Sequence, residues 1–190
     1  MTTVVASDTV YLRSWRADDI DKLGQAAAGI SQNTLALRFG MPCTTIPDWY
    51  LARITEGWAR TNWNAEVAES RGRIVGWAEY GLNSDPRHAD IAVLVGDRYQ
   101  GNGLGTRLVK EVASLAQAAT VRVLHAQIQV RNQAARKALY AALPDLRYTG
   151  LQDGQWHHVM CLPKPSMASP SLEIGTVGSD SHLHCTTGLG

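Results

Sequence analysis

The stretch Asp97-Arg98-Tyr99-Gln100-Gly101-Asn102-Gly103-Leu104-Gly105-Thr106 constrains this chain more than any other. The apolar run Ile91-Ala92-Val93-Leu94-Val95 precedes it and reads as a buried strand. Behind it, Leu104, Leu108, Val112 and Leu115 recur at helical spacing. A strand, a glycine-rich turn and a helix N-terminus together make a phosphate cradle. Backbone N–H groups converge there without Cβ obstruction, and the helix dipole adds about 0.3–1 kcal/mol near the surface. The expectation is a chain that binds a phosphorylated ligand.

Spacing separates the glycine-loop families. A P-loop needs Lys-Ser/Thr after its last glycine, whereas Gly105 is followed by Thr106-Arg107. A dinucleotide fold needs a small residue at position 106 and an acid about 20 residues on. Position 106 is Thr, and Leu124-His125-Ala126 offers no acid. The pattern Gln/Arg-x-x-Gly-x-Gly/Ala is met at every fixed position by Gln100, Gly103 and Gly105. On these residues the chain resembles the GNAT superfamily of N-acetyltransferases, whose acyl-CoA pyrophosphate loop carries this pattern.

The surroundings extend the resemblance over most of residues 9–163. Residues 64–70, 73–81 and 89–96 read as strands, the first two joined by an Arg71-Gly72 hairpin. Residues 121–130 alternate Leu124, Ala126, Ile128 and Val130 against His125, Gln127 and Gln129. Asn132 can then cap a helix with Ala135, Leu139, Ala142 and Leu143 on one stripe. The resemblance implies an α/β (α+β) GNAT fold. Its central sheet is mixed and mostly antiparallel, flanked by helices, with strands splayed around an acyl-CoA slot.

Upstream, residues 10–15 alternate as a first strand, and Asp18 or Asp19 starts a helix with Ile20, Leu23 and Ala27 inward. Ser31 opens a short helix, and Thr45, Pro47 and Asp48 resemble a capping-box start, so residues 40–63 read as a two-helix excursion. In the superfamily this region covers the acceptor side. Ser31 to Phe39 is also similar to the Ser-x-x-x-x-Tyr-x-Arg-Phe signature of bacterial protein-lysine acetyltransferases, with Leu35 or Ala36 where Tyr is usual. Trp49, Trp58, Trp63 and Trp77 surround this region, mostly as core, with one or two available to wall a pocket.

Composition bounds the rest. The 190 residues suit one domain, expected at 1–163, followed by a flexible Ser/Gly/His-rich tail at 164–190. Net charge is +1, and no basic stripe with interleaved aromatics appears, which argues against nucleic acid as a partner. Cys43, Cys161 and Cys185 suggest neither a disulfide framework nor a zinc site, and His182 and His184 beside Cys185 read as incidental. No metal is expected. Residues 1–10 lack signal-peptide character, and no apolar run approaches the roughly 20 residues that span a bilayer. The expected compartment is the cytoplasm, without membrane association.

The resemblance assigns roles residue by residue. Gln100, Gly101, Asn102, Gly103, Leu104, Gly105 and Thr106 would hold acetyl-CoA, the acyl donor. Val93, Leu94 and Val95 would line its slot, at a strand bulge, and supply an oxyanion N–H. Asn132 would begin the helix beside it. Arg98, Arg107 and Lys110 are candidates for the remaining phosphate, though solvated surface suits any one of them better.

A lysine amine has a pKa near 10.4, so a base must take its proton. Asp90 stands where the protein-lysine acetyltransferases place a glutamate in Ala-Glu-x-Ala-x-x-Val; here the run is Ala89-Asp90-Ile91-Ala92-Val93-Leu94-Val95. Glu79 is the second candidate, and His88 and His125 have suitable intrinsic pKa values. The superfamily's thiolate acid is a Tyr seven residues after the capping Asn. Here that position is Leu139, and Tyr140 follows one residue, or about 100° of helix, later. Leu143-Pro144-Asp145-Leu146 replaces the family's usual Leu-Gly-Phe.

No Cys lies in the loop or its strand, which favours direct transfer over an acetyl-cysteine route. The expected function is acetyl transfer to a primary amine, either a protein lysine or a small molecule. A non-catalytic acyl-CoA-binding domain is the alternative. A shallow negative groove would favour lysine or polyamines, and a deep aromatic pocket a small molecule. The sequence leaves monomer versus homodimer open.

Overall fold

The computed structural model describes residues 9–163; the tail expected at 164–190 lies outside the described residues. Seven strands form one sheet: β1 (Tyr11–Ser14), β2 (Trp63–Ser70), β3 (Arg73–Leu82), β4 (His88–Val95), β5 (Val123–Gln129), β6 (Arg147–Gln152) and β7 (Gln155–Cys161). Their spatial order is β1-β2-β3-β4-β5-β7-β6, and only β4 and β5 run parallel. The expected mixed, mostly antiparallel sheet is therefore present.

Five helices flank it: α1 (Asp19–Ala26), α2 (Gln32–Phe39), α3 (Asp48–Ala59), α4 (Leu104–Ala118) and α5 (Gln133–Ala142). The period-2 alternation of strands and the 3.6-residue stripes of helices divide the interior into two cores. On one face Leu108, Val109 and Val112 of α4 and Leu139 of α5 pack on Ala78, Ile91, Leu124 and Ala126. On the other, Leu23, Leu35, Tyr50 and Ile54 of α1 to α3 cover Ala65, Val67, Trp77 and Leu94. A bulge helps set the faces: Ala68 pairs Gly76 while Glu69 pairs Ile74, leaving Val75 as the extra residue.

The Arg71-Gly72 turn has positive φ at both positions, 52° and 74°, the geometry a two-residue hairpin of right-twisted strands requires. Three expectations need correction. Residues 40–62 hold a single helix, α3, because the chain from Gly40 to Pro47 is irregular. Thr45 does not cap it; Pro47 is the N-cap, and its carbonyl accepts from the N–H groups of Tyr50 and Leu51. Of the four tryptophans, Trp63 and Trp77 are core, and Trp49 and Trp58 are exposed. The β6–β7 hairpin was not read from the sequence, although Asp153-Gly154 at its tip, with φ of 49° and 73°, is a strong hairpin signal.

A buried ion cluster ties β1 to α1. The Arg13 guanidinium donates to both Asp19 oxygens at 2.6 and 2.7 Å and to Glu69 at 2.8 Å, and the Arg16 N–H donates to Asp19 at 2.8 Å. Burial pushes the Asp19 carboxyl up, but the Arg13 and Arg16 bonds outweigh it and hold the pKa below the ordinary value. Because the folded-state pKa is depressed, this stabilisation is present above the unfolded carboxylate pKa and is lost as pH falls through the folded one. Replacing Asp19 with Ala leaves Arg13 with one buried anion instead of two and should cost about 3 kcal/mol at pH 7. Urea unfolding of both proteins at pH 7 and near pH 3 checks this: the difference must shrink in acid.

Candidate active site

The parallel pairing of β4 with β5 covers only His88 to Asp90, opposite Val123 to His125. Beyond Asp90 the strands part. On its other side β4 stays paired with β3 in unbroken register from Leu82–Ala89 to Gly76–Val95. The bulge expected at Val93 to Val95 is thus absent, and divergence from β5 alone opens the gap. Backbone direction alternates along a strand. The Gly96 N–H donates to Val75 on β3, so Leu94 also faces β3, while Val93 and Val95 face the gap. Of the three residues assigned to the slot, Val93 and Val95 aim backbone groups into it. Leu94 instead spends its backbone on β3 and buries its side chain in the core under α1 to α3.

At the far end of the gap lies the glycine loop. Gly101 and Gly103 have φ of +80° and +75°, and a Cβ at either would meet nothing within 4 Å. Gly103 is the N-cap of α4, so the first N–H groups of the helix point outward from an open turn. Gly105 serves packing: a Cβ there would sit 3.4 Å from Ala138 of α5. Leu104 is buried and anchors the helix, and Asn102 is exposed at the tip. Gln100 donates from Nε2 to the Val95 carbonyl at 2.9 Å, fixing the loop to the end of β4. These features fit an extended pyrophosphate across the turn with the pantetheine arm in the gap.

On the opposite face a cleft of about 450 Å³ opens beside the gap. Its walls include Arg38, Arg53, Glu79, Asn83, Asp90, Gln127, Gln129 and Gln155. Glu79 is buried and accepts three hydrogen bonds: Arg38 donates at 2.7 Å, Arg53 at 3.1 Å, and the Tyr50 hydroxyl also donates to it. Tyr50 in turn accepts from the Trp77 indole at 2.9 Å. Burial and the neighbouring Glu79 charge push the Tyr50 pKa up, so it stays a donor. Glu79 therefore holds the floor of the cleft, with three donors already on its carboxylate.

Asp90 is different. It stands on the cleft wall where the strands part, and among the described residues no side chain donates a hydrogen bond to its carboxylate. Protein packed around it displaces water and raises its pKa, while the charges of His125 and Arg53 pull it back.

The α2 helix links the two sides. At its start the Ser31 N–H and hydroxyl and the Thr34 hydroxyl donate to Asp97 at 2.7, 2.7 and 2.9 Å. Burial raises the Asp97 pKa, but these bonds overcome it and hold the carboxyl below its ordinary value. At its end Arg38 reaches Glu79, and Gly40 abuts β5 so closely that a Cβ would lie 2.9 Å from Gln129 Nε2. The sequence marked Arg38 only as part of a signature; its ion pair and the Asp97 clamp join residues 41 and 66 positions apart.

Asn132 caps α5, its side chain accepting from the Ala135 N–H at 3.0 Å. Leu139 is buried in the core, and Tyr140 packs edge-on against His158 of β7 at 5.4 Å between ring centroids. Helical phase places Tyr140 toward β7 and outside the cleft lining. Arg107 and Lys110 are exposed along α4. Among the described residues, no three His, Cys, Asp or Glu side chains group to hold a metal, and no helix is long and apolar enough to cross a membrane.

Residues 32–143 match the acetyltransferase (GNAT) family, more than half of the chain, and the protein belongs to that family. It is an acetyl-CoA-dependent acetyltransferase. The GNAT domain of S. lividans PAT is similar in fold, with a TM-score of 0.72 at 20% identity over 80% of this chain and 90% of that one. A phosphinothricin acetyltransferase from Sinorhizobium meliloti in complex with AcCoA has a TM-score of 0.66 at 14% identity, over 88% of this chain and 96% of that one. The ribosomal-protein-alanine N-acetyltransferase of Brucella melitensis reaches 0.61 at 22% identity, over 80% and 99%. No curated protein sequence matches the chain.

If the open turn at Gly103 receives the pyrophosphate, a G103E substitution blocks it with bulk and negative charge. Acetyl-CoA at 100 times its Kd should stabilise the wild type by about 2.7 kcal/mol in thermal unfolding. The G103E protein should fold, at some cost for a non-glycine residue at positive φ, and show no such shift.

Proposed function

We propose that the protein transfers the acetyl group of acetyl-CoA to a primary amine entering through the cleft, with Asp90 as general base. One observation carries this reading: the gap beside the glycine loop and the polar cleft meet where β4 leaves β5, and Asp90 stands at that point. In this reading the amides from Gln100 to Thr106 grip the pyrophosphate. The N–H groups of Val93 and Val95 hold the pantetheine arm and the thioester oxygen. A single well-aimed oxyanion donor contributes about 3–4 kcal/mol in comparable sites. Asp90 takes the proton, and Glu79, held by two arginines and a tyrosine, shapes the floor. Tyr140 has no part, since its ring lies against β7.

The cleft also bears on the acceptor. Its lining charges balance, Arg38 and Arg53 against Glu79 and Asp90, and the rest combines the amides of Asn83, Gln127, Gln129 and Gln155 with aliphatic and glycine surface. Phe39 is the one aromatic residue in that lining. Such a wall suits an extended alkyl amine, a lysine side chain or a polyamine, better than a flat aromatic amine.

Thiol release from acetyl-CoA tests this with Nα-acetyl-lysine methylamide, a lysine peptide, spermidine and tryptamine. The alkyl amines should turn over and tryptamine should not. An Asp90→Asn change should lower kcat/KM by on the order of 10²- to 10⁴-fold while the acetyl-CoA thermal shift persists. Because the Asp90 pKa is raised, the acid limb of the kcat/KM profile should lie above the ordinary carboxylate range. Wild-type rates in D90N sink the assignment of the base. An acetyl-CoA shift with no thiol release for any amine indicates a binding domain instead.

A further inference from the structure

The mouth of the β4–β5 gap holds two histidines that the reading above does not use. His88 Nδ1 and His125 Nε2 lie 2.9 Å apart, with rings inclined by 21° and centroids 5.2 Å apart. This contact crosses the short parallel ladder, and His125 occupies the rung opposite Asp90. His88, Asp90 and His125 share the cleft face, because alternate residues of β4 and the registered residue of β5 point the same way. At the outer end, His88 Nε2 lies 4.0 Å from Asp85 Oδ2. Asp85 is itself engaged by Arg87, whose backbone N–H donates to it at 2.9 Å. The side chains of His88 and Asp85 are both partly exposed. The two imidazoles and Asp85 therefore form a row that runs from the rung beside Asp90 out to solvent.

We infer that His125 and His88 form a proton exit for Asp90, carrying the proton taken from the acceptor ammonium along the strand ends to water beside Asp85. The inference rests on Asp90 as general base. Acetylation of an ammonium frees two protons from nitrogen. As the nitrogen lone pair forms the C–N bond and the C–S bond breaks, the sulfur leaves with the bonding pair and ends with one proton. The other must reach bulk water.

The contact between the two imidazoles sets the direction of its path. His125 takes the proton of Asp90 through one bridging water on Nδ1, the ring nitrogen not used toward His88, and passes its Nε2 proton to His88 Nδ1. His88 then releases its Nε2 proton to water. Each ring changes tautomer and returns by exchange with solvent, so no group keeps a net proton. His125 and His88 act through Asp90, which makes them relay and positioning residues.

Other groups facing the pair fit this direction of flow. Arg53 of α3 lies across the cleft near Asp90, and its cation opposes storage of a proton there. Val159 of β7 is the rung partner of His125 on the other side, with His157 one rung pair further along. Asp85 sits below its ordinary pKa, chiefly through the Arg87 backbone and side-chain bonds, and so stays anionic at the exit. Protein packed beside Asp90 raises its pKa above the ordinary value, with the His125 and Arg53 charges opposing.

The test uses the full chain, the best alkyl amine of the panel above, low buffer concentration and the variants H125Q, H88Q and D90N. H125Q and H88Q should each lower kcat by about tenfold, below the full effect of losing a general base. KM for acetyl-CoA should not change. Added imidazole should restore both histidine variants in a concentration-dependent way and should leave D90N impaired. A wild-type kcat in H125Q across pH 6 to 9, or a loss that imidazole does not restore, overturns the relay while leaving Asp90 in place if D90N is impaired. Wild-type rates in D90N remove the base assignment and the relay together.

Should H125Q fail to fold, H88Q and proton NMR of the wild type decide. The C2–H signals of His88 and His125 must titrate as a coupled pair, and both must shift in D90N. Independent titration overturns the exit path.

Discussion

Everything functional in this structure depends on two strands that stop pairing. A parallel ladder only three residues long holds β4 and β5 together at their starts, and beyond it each strand leans on its outer neighbour. The gap persists because both lips are fully supported from behind: β4 by β3 along its whole length, β5 by β7 from Val123 to Gln129. Backbone groups exposed in this way are costly if nothing meets them, about 1–3 kcal/mol for each buried donor or acceptor left unpaired. Gln100 satisfies the Val95 carbonyl. The N–H groups of Val93 and Val95 have no strand opposite them, and an amide-bearing pantetheine arm is chemically suited to that edge.

The second dependency is mechanical. The α2 helix is only eight residues long, but it touches the donor loop through Asp97 and the cleft floor through Glu79. The two contacts differ in strength. Ser31, Thr34 and Asp97 lie near solvent, where such bonds are each worth about 0.5–1.5 kcal/mol. Arg38 and Glu79 are largely withdrawn from water, where removing one partner of an ion pair costs about 3–5 kcal/mol. The helix is therefore pinned firmly at the acceptor side and more loosely at the donor loop.

Legibility in the sequence followed the range of the interactions. The glycine loop, the Asn132 cap and the Arg71-Gly72 turn are local, and each was visible because a few adjacent residues determine it. The strands and the two helix stripes were visible through period. The Arg38–Glu79 pair, the Asp97 clamp and the His88–His125 contact were not, because each joins residues distant in the chain and depends on which strands become neighbours. The divergence of the strands without a bulge belongs to the same class. Tyr140 marks a subtler limit. The sequence raised the one-residue offset, but only packing against His158 shows which way the ring turns. The β6–β7 hairpin was hidden for another reason: its exposed, polar first strand lacks the alternation that Asp153-Gly154 alone had to replace.

Strand alternation finally explains how one strand serves two chemistries. Along β4, Ala89, Ile91, Val93 and Val95 turn toward α4, where apolar packing fixes the strand and excludes water from the donor's side. His88, Asp90 and Ala92 turn toward the cleft, so titratable groups and acceptor share one face. A slip of one residue in the β3–β4 register would exchange the two sets, placing Asp90 in the α4 core and Ile91 on the cleft face. The penalty for burying that carboxylate without a partner runs to several kcal/mol, which keeps the register in place. The same alternation fixes Asp90 beside His125, so its placement follows from the pleat rather than from any flexible loop.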